Sequence, residues 1–411
     1  MELKRRYFDE HHLSGRSQFV ANGVIYDDYP YSLDIGGTQL TWSQGNKWPN
    51  NSGRANVGGP FDTIRVSYDS SVSPTEIVDM RAGFWRVVGN ILPIWDRTYL
   101  VRPRKTWEEA VSLAPSLGDD ALAAQGSVAI NRCAPTKSHA DLMTTIIETF
   151  REGIPQMVGS QILKDRARKV KAAGSEYLNY EFGWLPLVSD IRNAAQAVID
   201  SEKILRQLAR DSGRNVRRSY HFGTERNVVN EQVYPFGRPF PNPNSSLWST
   251  TQPSQVIDSM SRSIWFDGCF TYHFDEPSGD KLTDIANQAR ILLGLDLSPS
   301  TLWELAPWSW LSDWVFNVGP VLSNLSMFQK DGLTLRYGYV MERTNVSYRE
   351  RHFGFSPTYE TPGRTMQCTV RATRKRRIEV SPYSLGLVGR GLTLRQAAIL
   401  SALGVTRGKH N

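Results

Sequence analysis

The stretch Arg364-Thr-Met-Gln-Cys-Thr-Val-Arg-Ala-Thr-Arg-Lys-Arg-Arg377 sets the expectation for a large β-sheet. Polar and apolar residues alternate up to Thr373, and a period of two is typical of a strand with one buried face. The same texture extends over residues 333–380 and predicts long antiparallel strands there. On a strand, one face of the stretch carries Arg371, Thr373, Lys375 and Arg377, and the other carries Arg374 and Arg376.

The basic run Arg371–Arg377 has two interpretations at this level. Charged side chains on the outermost strand of a sheet prevent edge-to-edge aggregation. A row of cations on a strand can equally contact the phosphates of RNA. The sequence favours neither interpretation over the other.

Outward from this region, strand-rich and helical blocks alternate along the 411 residues. Short β-branched runs separated by Gly, Pro, Asn and Ser predict strands near the N-terminus, whereas Thr106 is predicted to cap a helix. This interleaving predicts an α+β fold, with a helical bundle region and a large antiparallel β-sheet region. The predicted blocks are a β-rich N-terminal segment (1–105), a helical segment (106–212), a β region (213–276), a second helical segment (277–329), a second β region (330–385) and a C-terminal amphipathic helix (386–411).

Composition excludes several classes of protein. Hydrophobic residues make up 40% of the chain and charged residues 22%, which is typical of a globular protein. The net charge of +7 favours, weakly, an acidic partner such as nucleic acid. No run of about 18 apolar residues occurs, so no membrane span is expected. The three cysteines are far apart in sequence and predict neither a zinc site nor a disulfide framework.

The sequence contains no recognisable catalytic motif. None of the seven histidines lies in a metal-binding pattern, and neither a nucleophile elbow nor a phosphate-binding glycine loop occurs. Gly118-Asp-Asp120 is similar to the metal-binding turn of RNA polymerases, but it lies between helical stretches instead of hydrophobic strands. The N-terminus of a helix beginning near Asp119 explains it better. We therefore predict a non-enzymatic protein without a metal or cofactor.

A basic helix is the strongest candidate for RNA contact. On a helix over Gln161–Lys171, three cations form one stripe, and an apolar stripe of Leu163, Ala167 and Val170 lies about a quarter-turn away. One stripe can then pack while the other meets a phosphate backbone, although a solvated helix face would have the same pattern. The candidate RNA-binding residues are Lys164, Arg166, Arg168, Lys169 and Lys171.

The stretch Trp303–Gly319 holds four of the twelve tryptophans. A helix beginning near Trp308 would place them on a wide apolar arc, with Asn317 on the opposite, polar side, and Gly319-Pro320 would stop or kink it. The polar side has no Lys or Arg, as a membrane-surface helix would require, and no cations lie nearby for stacking on bases. We therefore predict a core-packing helix.

Three stretches resemble the maturation proteins (A proteins) of the single-stranded RNA bacteriophages, the levivirus group. The first fills every fixed position of the family signature W-E-x-x-P-[FWY]-S-[FW]-x-x-D-W-x-x-x-V-G. The second, Tyr177–Ile191, matches W-L-E-x-x-[FY]-G-W-L-P-L-x-S-D-I but has Tyr177 and Asn179 in place of Trp and Glu. The third, weaker match is Ser381-Pro-Tyr-Ser384. The signature residues expected in the structural core are Trp303, Pro307, Trp310, Asp313, Trp314, Gly319, Gly183, Trp184, Pro186 and Asp190.

The resemblance implies a function and a shape. Maturation proteins are non-enzymatic, are present as one copy per virion in place of a coat-protein dimer, bind the 3′ region of the genomic RNA, attach the particle to a bacterial pilus and enter the host with the RNA. The implied fold is elongated and bent, with a helical bundle facing the RNA and a β-rich region projecting toward the pilus. The implied partners are genomic RNA, coat protein and pilin, and the implied location is the virion, after synthesis in the host cytoplasm.

Two other functions stay open at this level. One is an RNA-binding structural protein of another virus without a receptor function, and the other is an enzyme with an unrecognised site. The pilus-binding surface is expected within the Gly/Asn-rich N-terminal loops or the loop at 230–250. The sequence decides neither its residues nor the host, the pilus type, the RNA hairpins or a lytic role.

Overall fold

The structure is a computed structural model. The residues that it describes are 2–43, 59–82, 84–94, 97–137, 196, 201–235, 240–241, 253–273, 316–330, 332–355 and 364–384.

Within these ranges, ten strands form one large antiparallel sheet, which confirms the predicted sheet region. Their order is β4-β5-β1-β2-β3-β10-β9-β8-β6, and β7 also pairs with β8. The strands are β1 (Glu2–Ala21), β2 (Val24–Ser43), β3 (Phe61–Ser70), β4 (Ile77–Ala82), β5 (Trp85–Asn90), β6 (Val216–His221), β7 (Glu225–Tyr234), β8 (Ser254–Thr271), β9 (Thr334–Phe355) and β10 (Arg364–Glu379).

Four α-helices and one short 3-10 helix, Thr98–Val101, lie in the described ranges. Most residues of the two predicted helical segments, and all of the predicted C-terminal helix, lie outside these ranges. None of the described helices is long and apolar enough to cross a membrane. The helices are α1 (Trp107–Val111), α2 (Asp119–Cys133), α3 (Ser201–Asp211) and α4 (Val318–Lys330).

Two predicted helix starts are confirmed. Thr106 caps α1 in a reciprocal capping box, because its Oγ1 accepts from the Glu109 amide at 3.2 Å and Glu109 Oε2 accepts from the Thr106 amide at 3.3 Å. Helix α2 begins at Asp119, with Gly118 as the N-cap residue. Asp119 and Asp120 therefore lie in the first turn, where the helix dipole favours negative charge.

The chain divides into two compact units, which we call unit 1 and unit 2. Strands β6, β8, β9 and β10 contribute residues to both. Unit 1 comprises Met1–Leu117, His221–Trp265 and Met341–Ile378, and unit 2 comprises Gly118–Tyr220, Phe266–Val340 and Glu379–Asn411.

The core of unit 1 lies against one face of the sheet, which we call the inner face. Side chains from β1, β2, β3, β9 and β10 pack there against the segment 92–101 and against α1 and the residues that follow it. Leu40 and Ile64 are fully buried, and burying an aliphatic side chain of this size contributes about 1.5–3 kcal/mol. Core members include Leu13, Leu33, Ile35, Leu40, Ile64, Val66, Leu92, Leu100, Val346, Val370 and Ala372.

The first two strands form a long hairpin. β1 and β2 have 20 residues each and are joined through Asn22 and Gly23, whose φ angles are 51° and 78°. Positive φ at both central residues is the requirement of a type I′ turn, and Asn-Gly is the dipeptide that meets it most readily. The turn therefore fixes the register of the hairpin.

Unit 2 holds a buried polar contact between α2, α4 and the segment that follows β10. Asn317 is 1% exposed, and its Nδ2 donates to the carbonyl oxygen of Ser384 at 2.7 Å and also contacts Ser127 Oγ. Asn324 donates to the carbonyl oxygens of Ser127 at 2.9 Å and Pro382 at 2.7 Å. These two amides therefore join α2 and the start of α4 to the segment after β10 through backbone carbonyls.

Three predictions need correction. β10 lies between β3 and β9, so edge protection cannot explain its charges. Gly319 and Pro320 do not stop a helix but lie in the first turn of α4, where proline has no hydrogen bond to lose. Asn317 is buried instead of lying on an outward polar line, because the helix begins after it and its amide binds the carbonyls described above.

Candidate nucleic-acid interface

Most sequence-predicted site residues lie outside the described ranges. This applies to all five candidate RNA-binding residues of 164–171 and to every signature residue except Gly319. Gly319 lies in the first turn of α4, two residues after Asn317. Asn317 belongs to the first motif and Ser384 to the third, so their hydrogen bond brings the ends of two motifs together in unit 2.

The outer face of the sheet in unit 1 has a very different composition from the inner face. Residues that lie opposite each other on neighbouring strands project from the same face. Arg371 and Lys375 of β10 lie opposite Ser67 and Thr63 of β3, and Arg65 lies opposite Thr373. The pattern continues across β2 to β1, where Lys4 lies opposite Thr41 and Arg6 opposite Gln39.

Side-chain contacts extend this face in the other direction, to β9, β8 and β7. Thr373 Oγ1 donates to Asn345 Oδ1 at 3.1 Å, and Asn345 Nδ2 contacts Ser261 Oγ at 3.4 Å. Ser261 lies opposite Arg226. We call the resulting surface the basic face, and its cations are Lys4, Arg6, Arg65, Arg226, Arg343, Arg371, Lys375 and Arg377.

The cations of the basic face are largely without acidic partners. All except the half-buried Arg377 are exposed. Arg371 lies 3.7 Å from Asp69, and both side chains are more than half exposed, so this pair is weak. Within the part of the chain that the structure describes, no ion pair involves Lys4, Arg226, Arg343 or Lys375.

A shallow groove of about 530 Å³ crosses the basic face. Three of its lining residues are the cations Arg226, Arg343 and Arg371, and hydroxyl and amide groups lie between them. Arg343 Nε donates to Asn345 Oδ1 at 3.2 Å, which orients its guanidinium group. Guanidinium and hydroxyl donors arranged in this way suit phosphate or carboxylate oxygens.

Two phenylalanines support arginines on the same face. The Arg65 guanidinium lies 4.5 Å from the centre of the Phe8 ring, and the Arg377 guanidinium lies 4.8 Å from that of Phe61. A Cβ atom at Gly37 would lie 2.1 Å from the Phe8 ring, so the ring can lie flat on β2 only because this residue is glycine. These contacts hold two guanidinium planes against the sheet.

The inner face carries charges too, and several of them are paired and largely buried. Arg374 donates to both carboxylate oxygens of Asp62 at 3.0 and 2.6 Å. Arg376 donates to the carbonyl oxygen of Leu117 at 2.8 Å. The buried Glu342 lies 2.9 Å from Arg262 and accepts from the Leu117 amide at 3.1 Å. The Arg374–Asp62 pair joins β10 to β3, whereas Arg376 and Glu342 join the sheet to the residues after α1.

Another inner-face pair joins the segment after β5 to β8. Arg97 Nη2 lies 2.9 Å from each carboxylate oxygen of Asp258, which is 7% exposed. Burial lowers the pKa of Arg97, but the hydrogen bond and charge of Asp258 outweigh this effect and raise it above its ordinary value. Arg97 therefore stays charged, and its pairing with Asp258 holds the segment after β5 against β8.

Unit 2 has its own cationic surface, on α3. Lys203, Arg206 and Arg210 recur at spacings of three and four and line a groove of about 400 Å³ with Gln207. On another side of the helix the buried Leu208 packs inward, and its carbonyl oxygen accepts from Tyr272 at 3.2 Å. This stripe was not among the residues predicted to bind RNA, although its spacing is readable on a helix.

An exposed apolar patch surrounds the end of the β1–β2 hairpin. Its side chains are half or more exposed, which is uncommon for residues of this size. The Phe19 ring contacts those of Tyr26, Phe84 and Trp85 at 5.5–6.2 Å, so several of the aromatic groups form one cluster. We call it the hairpin-tip patch, and its exposed members are Val24, Ile25, Tyr26, Tyr29 and Phe84.

The three cysteines are free thiols. Cys269 and Cys368 are buried, and Cys133 is partly exposed. Burial raises the pKa of Cys133 and of Cys368 to about 12, so both thiols are protonated at neutral pH. Such environments are typical of cysteines that pack in the interior, and not of cysteines that act as nucleophiles.

No model of a known protein family matches the chain, and no curated protein matches its sequence.

Proposed function

We propose that this protein is a maturation protein of a single-stranded RNA bacteriophage. In this proposal it is a non-enzymatic virion component that binds the 3′ region of the genomic RNA and the coat shell. It attaches the particle to a bacterial pilus and accompanies the RNA into the host. The observation that carries the proposal is the pair of long motifs at 177–191 and 303–319, with the weaker motif at 381–384 in the same order as in that family.

A contact between two of these stretches is compatible with the proposal. Asn317 lies at a variable position near the end of the first motif, and its amide binds the backbone carbonyl oxygen of Ser384 in the third. The bond joins the two stretches in unit 2 without depending on a signature residue. In this proposal the motifs describe a shared scaffold, and the partners bind elsewhere.

For RNA binding, the proposal assigns the helical segments 106–212 and 277–329, which we propose to gather into a bundle. The basic stripe at 164–171 stays a candidate on sequence alone. The α3 stripe adds Lys203, Arg206 and Arg210 from the same segment, and their exposure and spacing suit sequence-independent contact with phosphates.

For attachment to the pilus, the proposal assigns the hairpin-tip patch. It lies in the N-terminal segment, where the receptor-binding surface is expected. Exposed aromatic side chains of this kind are enriched at protein–protein contacts, because they bury a large area at little entropic cost. Tyr26 and Tyr29 are the most accessible tyrosines of the patch, at 61% and 54% exposure.

The test uses intact virions assembled with this chain. Crosslinking followed by mass spectrometry is carried out once on the virions alone and once after incubation with purified pili. We expect RNA crosslinks in the helical segments and pilin crosslinks at the hairpin-tip patch. Failure of the chain to enter particles, or a lack of RNA crosslinks from both helical segments, would contradict the proposal.

Two variants assign the two activities to separate surfaces. Replacing Lys203, Arg206 and Arg210 together with Gln should reduce RNA packaging and leave pilus binding intact. Replacing Tyr26 and Tyr29 with Ser should do the opposite. RNA packaging without any pilus binding by the unmodified chain would favour the other candidate, a viral RNA-binding structural protein without a receptor function.

A further inference from the structure

We infer that the basic face of unit 1 is a binding surface for single-stranded RNA, which contacts the phosphates independently of base sequence. The inference concerns the isolated protein, so it does not depend on the phage assignment. It also concerns residues other than those of α3. Three properties of the face carry it: its unbalanced charge, the spacing of its cations and the chemistry between them.

Among the described residues, the charge of the basic face is poorly balanced by carboxylates. Leaving Arg377 aside, the ion pair found there is the loose one between Arg371 and Asp69. Like charges on neighbouring strands repel each other and destabilise a sheet. On the inner face of the same strands, Arg374 and Glu342 have close partners of opposite charge. An external polyanion would supply the charge that the outer face lacks.

The spacing of the cations fits an extended polymer. Successive same-face positions on a strand are about 7 Å apart, and neighbouring strands are about 4.8 Å apart. Lys375 and Arg371 therefore lie along β10, and Arg65, Arg6 and Arg343 lie beside them on other strands. Such a distribution can contact several phosphates of one strand at once, whereas a small anion would contact only a small part of it.

The chemistry between the cations distinguishes RNA from an acidic protein surface. The central positions of the face carry hydroxyl and amide groups, including Ser67, Thr373, Asn345 and Ser261. The centre of a protein–protein interface is richer in apolar and aromatic groups than this. Hydroxyl and amide groups between arginines are instead the usual donors to phosphate and sugar oxygens.

A single strand suits the flat surface better than a duplex does. An open sheet offers no helix or narrow ribbon that fits into the groove of a duplex. An open sheet can instead hold unpaired bases against aromatic rings or guanidinium planes. The Arg65 and Arg377 guanidinium groups, each held over a phenylalanine ring, provide two such planes.

The test measures binding of a labelled oligouridylate to the purified full-length chain over a series of salt concentrations. The triple variant Arg343→Gln, Arg371→Gln, Lys375→Gln removes three exposed cations from the basic face. Each lost phosphate contact lowers the magnitude of the negative slope of log K against log salt by about 0.7, so we expect this magnitude to decrease by about 2. We also expect the affinity at low salt to fall by about tenfold or more.

A matched control separates a local effect from net charge. Arg81→Gln, Arg102→Gln and Lys105→Gln together remove the same charge from exposed positions of unit 1 that do not belong to the basic face. This variant should keep the original slope. The variant Lys375→Gln alone should lower the magnitude of the slope by about 0.7 and provides a second measurement if the triple variant does not fold.

Three outcomes would overturn the inference. The first is a triple variant that folds, as judged by circular dichroism, and binds RNA like the control. The second is a single variant Lys375→Gln that keeps the original slope. The third is displacement of oligouridylate by polyglutamate of equal charge at the same concentration as by unlabelled RNA, which would assign the face to an acidic protein partner. Replacing Lys203, Arg206 and Arg210 in parallel tests α3 separately, so each surface can fail without the other.

Discussion

The two faces of β10 use neighbouring arginines for opposite purposes. Arg374 is 13% exposed and is bound to Asp62 through two hydrogen bonds. Arg371 is three residues away, is 59% exposed and has only a loose contact with Asp69. The two residues differ in the face from which they project, because successive side chains of a strand alternate.

This difference shows that a run of positive charge has no single meaning. Inward arginines are partners for carboxylates on the inner face, such as Asp62 and Glu342, and they contribute to stability. Outward cations contribute little to stability and are available to a ligand. Substitutions of inner-face residues are therefore expected to change stability more than substitutions of outer-face residues. Each change can be measured separately.

The largest expected effect comes from removing a buried inner-face charge. Glu342→Gln leaves Arg262, whose side chain is 14% exposed, without its counter-charge, and breaking a buried pair typically costs about 3–5 kcal/mol. We expect the free energy of unfolding, measured by urea denaturation of the full-length chain, to fall by about 3 kcal/mol. The exposed Glu231→Gln is the matched control and should change it by less than about 0.5 kcal/mol. Equal effects of the two variants would contradict the distinction between the faces.

A smaller effect should separate two adjacent residues of β10. Arg374→Gln removes the two hydrogen bonds to Asp62, but Arg376 stays 3.5 Å from this carboxylate and limits the loss to about 2 kcal/mol. Lys375→Gln should change the free energy of unfolding by less than about 0.5 kcal/mol. Thermal and urea denaturation of both variants measure this difference. A destabilising Lys375→Gln would indicate that the outer face is structural.

The helix that covers part of the inner face offers a weaker test. Trp107 of α1 lies near Trp42 and beneath the Arg374 guanidinium, so the cap at Thr106 helps to hold this cover in place. Thr106→Ala removes the side-chain cap and should lower the free energy of unfolding by about 1 kcal/mol. Thr106→Ser keeps the hydroxyl group and should stay within a few tenths of a kcal/mol of the original chain. Similar losses for both variants would show that the cap is unimportant.

The smallest effect concerns a paired but exposed charge. Arg86 donates to both carboxylate oxygens of Asp79, and this hydrogen bonding lowers the pKa of the carboxyl group. A lowered folded-state pKa means that the stabilisation is complete above the ordinary carboxyl pKa and is lost as the pH falls through the folded-state value. Asp79→Asn should therefore lower the melting temperature slightly at pH 7, and the difference should disappear in acid. A difference that persists at low pH would point to a cause other than charge.

The sequence predicted the division of the basic run but not its position in the sheet. Strand periodicity is local, so Arg371 and Lys375 were correctly separated from Arg374 and Arg376. Whether β10 lies at an edge depends on its pairing with β3, which is about 300 residues earlier, and no local pattern contains that information. The role of Glu342 was not predicted for the same reason, because its partners Ser116 and Leu117 are more than 200 residues away.

Other features were likewise predicted correctly where they depend on adjacent residues, and incorrectly where they depend on distant ones. The cap at Thr106 and the start of α2 depend on a few adjacent residues, and both were predicted correctly. Asn317 was placed on a polar side because it continues the spacing of polar residues, whereas its burial depends on carbonyl groups of α2 and of Ser384. The Asn22-Gly23 turn is a strong hairpin signal, and it would have located the end of the first hairpin.

The pairing of β3 with β10 has a consequence for synthesis of the chain. The β1–β2 hairpin and β3 are complete once residue 70 has left the ribosome, but the partner of Phe61 is Arg377. One edge of β3 therefore stays without its final partner strand while some 300 further residues are translated. An unpaired edge can pair with other chains during this interval. Unit 1 is thus completed late in translation, although its first strands are the earliest part to be made.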